Sequence, residues 1–190
     1  VARYDAACEA IDRANADDPR REEGEPKEVL YSRRMAQWVR TLAPRASEEL
    51  LLAARAQHLR RWTVPRESYP EGRTGYLRWR EDLKKMHAEK AAAILAQAGY
   101  GADSIAKVRT ILLRKNLATD PEGQTLEDAA CLVFLEHEFA PFAAKTEEGK
   151  VVEILRKTWA KMSDAARAAA QGLPQAPREA ALLAKALGPG

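Results

Sequence analysis

Apolar residues recur at three- and four-residue intervals along most of the chain, and strictly alternating apolar and polar runs are nearly absent. That period belongs to helices buried on one face, so the sequence predicts an all-α protein, a compact irregular helical bundle. The β-branched VVEIL at 151–155 sits in helical context and does not change this. A first helix is predicted over 2–15, ending in the breaker-rich, acidic NADDPRREEGEP, which reads as a loop. A second starts after Pro26 and ends at Ala43-Pro44, with Leu30, Arg34 and Trp38 on one stripe, so that Arg34 points where a core residue is expected.

Ser47 has the chemistry of an N-cap, and two glutamates follow it where a helix dipole favours negative charge. The third helix then reads SEELLLAARAQHLRRW. Two prolines and a glycine make 63–74 a loop, after which a long helix runs from Gly75 to Ala98 with Gly99 as its C′ residue. Another follows from an Asp103 N-cap to Asn116, and further helices are predicted over 122–140, 147–161, 164–171 and 177–187. Neither solenoid periods nor sustained heptads occur.

The length of 190 residues, 46% of them hydrophobic and 31% charged, suits one folded domain. Residues 28–161 are its expected core, 1–27 an N-terminal helix and acidic loop, and 162–190 an alanine-rich helical extension. No apolar run approaches the ~20 residues of a membrane helix, and the first residues alternate charge with alanine instead of forming a signal-peptide core. A cytoplasmic protein without membrane association is therefore expected. Cys8 and Cys131 are far apart and outside any C-x-x-C spacing, so neither a disulfide framework nor a zinc finger is indicated, and Cys131 reads as buried.

The net charge of +3 conceals a segregation: five Lys/Arg against nine Asp/Glu in residues 1–28, and ten against five in 55–90. The basic segment holds Arg60, Arg61, Arg66, Tyr69, Arg73, Tyr76, Arg80 and Lys84, and the spacing of Tyr76, Arg80, Lys84 and His87 puts those four on one helical face. Arginine forks match phosphate, which makes Arg60, Arg66, Tyr69, Arg73, Tyr76, Arg80 and Lys84 a candidate substrate-binding wall; a solvated arginine-rich face is the plainer explanation.

Three polar residues fall on apolar stripes: His58 with Leu51, Ala54 and Trp62; His87 with Leu83, Ala91 and Ile94; Asp128 with Gln124, Cys131, Leu132 and Leu135. Two histidines and a carboxylate facing inward from different helices are residue types that hold a divalent metal such as Mn, Fe or Zn, and equally the members of a buried ion-pair network. Glu127 is a candidate base beside Asp128, whereas His137, among acidic neighbours, reads as a surface histidine. The four tryptophans at helical positions read as packing.

Together AARAQHLRRW, VPRESYPEGRTGYLRWR, KKMHAEKAAAILAQAGY and GQTLEDAACLVFLEHEF resemble a domain-of-unknown-function family whose helical core is similar to that of HD-domain metal-dependent phosphohydrolases, over about residues 28–161. The resemblance implies a hydrolase acting on a phosphorylated metabolite or nucleotide, with a metal on His58, His87 and Asp128 activating water. The chain departs from that pattern twice: Gln57-His58 stands where the His-Asp doublet is expected, and Tyr31 where the first histidine is. Two other readings stay open: a non-catalytic module whose basic face (60–84) holds RNA or an acidic partner, and a degenerate enzyme that senses a ligand. Lys161-Met162-Ser163 begins like the KMSKS loop of class I aminoacyl-tRNA synthetases, but Asp164 breaks it; P-loop, G-x-G-x-x-G, H-E-x-x-H and G-x-S-x-G motifs do not occur.

Overall fold

The computed structural model describes residues 2–115 and 117–188. Among them helices dominate: α1 (Ala2–Ala16), α2 (Lys27–Leu42), α3 (Glu48–Ala56), α4 (Gly72–Gln97), α5 (Ala102–Leu113), α6 (Pro121–Val133), α7 (Phe139–Ala144), α8 (Glu148–Lys161), α9 (Asp164–Gln171) and α10 (Pro177–Leu187). The fold is all-α as the periodicity predicts. No described helix is long and apolar enough to cross a membrane. The chain forms two compact units, residues 1–126 and 127–190, with the boundary inside α6.

In the first unit, α2, α3 and α5 bury an aliphatic core that includes Met35, Val39, Leu50, Leu52 and Ile111. Ser47 caps α3 as expected, its Oγ accepting from Leu50 N at 3.1 Å. Ser47→Ala is therefore expected to lower stability by about 1 kcal/mol, read as a shifted urea midpoint with an unchanged slope; an unmoved midpoint contradicts the capping role. Gly99 takes the left-handed conformation expected after α4, at φ +83°. Gly75 is needed for another reason: a Cβ there would meet the Pro70 carbonyl oxygen at 1.9 Å.

The acidic stretch contains a small hairpin, β1 (Arg21–Glu22) antiparallel to β2 (Glu25–Pro26), with Glu23 and Gly24 both at positive φ in its two-residue turn. Arg34, the basic residue on an inward stripe, donates to Glu22 and, at 2.7 Å, to Glu23, which pins the hairpin to α2.

The long helix starts at Gly72, three residues before the expected Gly75, and three other expected boundaries move. The helix expected to reach Trp62 ends at Ala56, because the backbone N–H of Arg60 is taken by the Asn15 side-chain oxygen at 2.8 Å and Arg60 turns left-handed at φ 53°. The fifth helix has Gly101 rather than Asp103 at its N-cap, and the predicted end at Asn116 lies outside the described residues. The helix expected over 122–140 widens into a π-helical turn at Phe134–Glu138 before α7. Pro141 accounts for this, since proline cannot donate to the fourth carbonyl before it and its ring crowds that carbonyl.

In the second unit α10 packs on α8, burying Leu182, Leu183 and Ala186, and Arg156 Nε donates to the Ala186 carbonyl at 3.0 Å. Cys131 is buried and both cysteines are free thiols. Ser163 of the Lys-Met-Ser stretch is the N-cap of α9, which gives that motif a structural role.

Candidate functional site

The early end of α3 creates the site. Outside the helix, His58 swings its Nδ1 to within 3.2 Å of Glu28 Oε2, and the Leu59 carbonyl becomes free to accept from His87 Nδ1 at 2.9 Å. Tyr31 stacks on the His58 ring at 3.9 Å between centroids and 7° between planes. Its hydroxyl donates to Gln57 Oε1 at 2.9 Å. The His58 and His87 ring centroids lie 6.1 Å apart. Tyr31, Gln57, His58 and His87 thus converge in the first unit, on α2, on the turn after α3 and on α4.

Protonation follows from the partners. A carbonyl only accepts, so His87 Nδ1 carries the hydrogen and its Nε2 is a bare lone pair; that atom is buried and has no hydrogen-bond partner. Burial, the nearby His58 and Arg61 hold the His87 pKa down at about 3. For His58 burial again is the largest influence, opposed by Glu28 and reinforced by Arg61 and Arg114, and its pKa falls to about 4. Burial pushes Glu28 up, but His58, Arg20 and Arg61 outweigh it and bring the carboxyl down to about 2. At neutral pH the cluster therefore holds an ionised Glu28 and two neutral imidazoles, both with Nδ1 facing an acceptor and Nε2 unprotonated.

Arg61 lies 4.9 Å over the Trp79 ring and has no carboxylate partner among the described residues. Trp79 is itself fixed by its Nε1 donating to the Val64 carbonyl at 2.9 Å. A stacked guanidinium that makes no direct ion pair, with the Glu28 charge within its field and two histidines beside it, has the geometry to take an anion.

The predicted wall is not assembled as one surface. Arg66 donates to the carbonyls of Tyr69 and Pro70 and organises its own loop, and the Tyr69 hydroxyl donates to Asp82. Lys84 pairs with Glu81 at 2.8 Å. Arg60 sits 5.5 Å from the Trp62 ring and 3.9 Å from Asp17. Arg80 donates to the Tyr76 hydroxyl at 3.0 Å, and Arg73 is exposed at the start of α4. Exposure falls along the Tyr76–His87 face from 42% at Tyr76 to 4% at His87, so only its far end reaches the site. The inner stripe of α4 is Gly75, Trp79, Leu83, His87, Ala91 and Leu95, with Leu95 in the place expected of Ile94.

Asp128 and Glu127 belong to the second unit. Asp128 accepts from Ser163 N at 2.9 Å and from its Oγ, and Glu127 pairs with Lys161 at 3.1 Å. His137 sits beside Glu136 at 3.1 Å. Among the described residues no group of three or more His, Cys, Asp or Glu is arranged to hold a metal ion.

Sequence reasoning missed Asp18, Arg20 and Glu28 as members of the site and named Arg61 only within the basic segment. Glu28 carries a signal in retrospect, being a carboxylate three residues before Tyr31 in the first turn of α2.

An all-α fold with a buried carboxylate–histidine cluster is the class these features define. The chain belongs to the DUF4202 family, a domain of unknown function, whose family model matches residues 5–183. No curated protein and no solved structure matches it.

Proposed function

We propose that this protein binds a phosphorylated small molecule, a nucleotide or a phosphorylated metabolite, at the His58–His87 cluster, and that it acts as a binding or sensing protein on a hydrolase-like helical core. The observation that carries the reading is the Tyr31–Gln57 hydrogen bond of 2.9 Å. These are the two positions at which the resemblance to HD-domain phosphohydrolases calls for metal-binding histidines, and here they satisfy each other. Arg61 takes the phosphate, Trp79 keeps its fork oriented, and Nε2 of the partly exposed His58 accepts from a donor on the rest of the ligand, with the bare Nε2 of His87 buried behind it.

A second reading is favoured by one feature. Neutral imidazoles whose Nδ1 is fixed by a carboxylate or a carbonyl, with Nε2 bare, are disposed as metal ligands are. His58 and His87 fit Mn, Fe or Zn in that respect, but they do not make a three-ligand set with any described carboxylate, and no hydrolytic step is derived from them.

Calorimetry with adenosine monophosphate and glucose 6-phosphate, on tag-free protein before and after chelation, separates the two. We expect binding that survives chelation and is lost in Arg61→Ala. His87→Leu should also abolish it while changing stability by no more than about 1 kcal/mol, since the substitution removes one hydrogen bond together with a bare acceptor. Near-stoichiometric metal that vanishes in a folded His58→Ala/His87→Ala protein would instead establish the metal reading. Binding of neither ligand at millimolar concentration sinks the proposal.

A further inference from the structure

Beneath His58 lies a chain of charges, two buried carboxylates joined by the half-exposed Arg20 guanidinium, that the ligand reading does not use. Asp18 is fully buried and Glu28 is 1% exposed, and they share one guanidinium. Arg20 donates to Asp18 through Nε and Nη2, both at 3.0 Å, and through Nη2 to Glu28 Oε1 at 2.6 Å. Asp18 also accepts from the backbone N–H of Arg20 at 3.0 Å and of Glu28 at 3.1 Å, so its carboxylate is fully occupied. Glu28 Oε1 is turned to Arg20, which leaves Oε2 for His58 Nδ1 at 3.2 Å.

We infer that the Asp18–Arg20–Glu28 chain positions His58, fixing it as the Nδ1–H tautomer and presenting Nε2 to whatever enters the cluster. Glu28 is the positioning residue; Asp18 and Arg20 hold its orientation. The acidic segment before α2 is then part of the site, although it looks like a linker in the sequence. Its charge fits that role: two carboxylates, one arginine and a neutral imidazole leave one negative charge on the buried chain, and Arg61 is the nearby cation whose field reaches Glu28. A buried charge of that kind is costly unless its neighbours are fixed. The purpose of the exposed Nε2 rests on the ligand reading above, but the tautomer can be measured without any ligand.

Glu28→Gln makes a sharp test. Arginine only donates, so the new amide must turn its oxygen to Arg20 and its NH₂ to His58 Nδ1. That nitrogen can then only accept, and the hydrogen must move to Nε2. Long-range ¹H–¹⁵N NMR at pH 7.5 should show His58 as Nδ1–H in the unaltered protein and in Glu28→Asp, and as Nε2–H in Glu28→Gln. His87, held by the Leu59 carbonyl, should remain Nδ1–H in all three and serves as the internal control. A His58 that is Nε2–H in the unaltered protein, or that keeps its tautomer in a folded Glu28→Gln, overturns the inference; if Glu28→Gln does not fold, the unaltered protein and Glu28→Asp decide it. A tautomer change in a protein that binds neither adenosine monophosphate nor glucose 6-phosphate leaves the positioning role standing and removes only the proposed function.

Discussion

Acidification from pH 7 to pH 5 is expected to destabilise the protein by roughly 4 kcal/mol, well beyond the loss from surface ion pairs. The sign follows from His58 and His87. Both have folded pKa values below that of free histidine, at about 4 and about 3, because burial opposes their charged forms. Between those values and about 6.5 the unfolded chain binds protons that the folded chain does not, so stability falls with pH at up to about 1.4 kcal/mol per unit for each ring. Glu28 acts lower down. Its carboxyl is held at about 2, so the stability it contributes is complete above the ordinary carboxylate range and is lost as pH drops from there toward 2. Urea unfolding at pH 7, 6 and 5 checks this, and His87→Leu should remove about half of the slope. A stability that is flat or rises toward pH 5 would mean that the folded rings take up protons at least as readily as free histidine, and with that the lowering of their pKa values by burial fails.

What could be read from the sequence is what neighbouring residues decide among themselves. The Ser47 cap, the Gly99 terminus and the C-terminal helices follow from local chemistry and came out close to the structure. The stripe of Leu51, Ala54 and Trp62 puts His58 toward the interior, but the structure buries it in another way. It is partly buried, yet it leaves the helical stripe because Asn15, 45 positions away from Arg60, captures a backbone donor. Helical periodicity has no access to such a capture. Glu28 escaped notice because its partner His58 is 30 residues on, and Arg20 because arginines in an acidic loop look solvated. The basic face shows a related gap: four-residue spacing puts Tyr76, Arg80, Lys84 and His87 on one face, but does not say that Asp82 and Glu81 engage the neighbouring polar groups. Nor could spacing reveal that Asp128 is spent on the α9 cap.

Asp18→Ala is expected to be the most damaging single substitution in the first unit, at about 2 to 3 kcal/mol, chiefly from the backbone donors it leaves without a partner. The residue is fully buried, and its carboxylate accepts four hydrogen bonds, two from the Arg20 guanidinium and two from backbone N–H groups at the entry to α2. Removing it strands the Arg20 and Glu28 backbone N–H groups, while the Arg20 guanidinium, 40% exposed, is left partly to water. The comparison that isolates the charge is Asp18→Asn, which keeps one oxygen for the two donors on that side but sets an NH₂ against the two donors on the other; its cost should lie between zero and that of Asp18→Ala. A matched Arg78→Ala control, whose nearest carboxylate contact is at 4.0 Å on an exposed surface, should move the urea midpoint very little. If Asp18→Ala proves as mild as Arg78→Ala, Asp18 does not organise the entry to α2, and Glu28 must owe its orientation to His58 instead of supplying it.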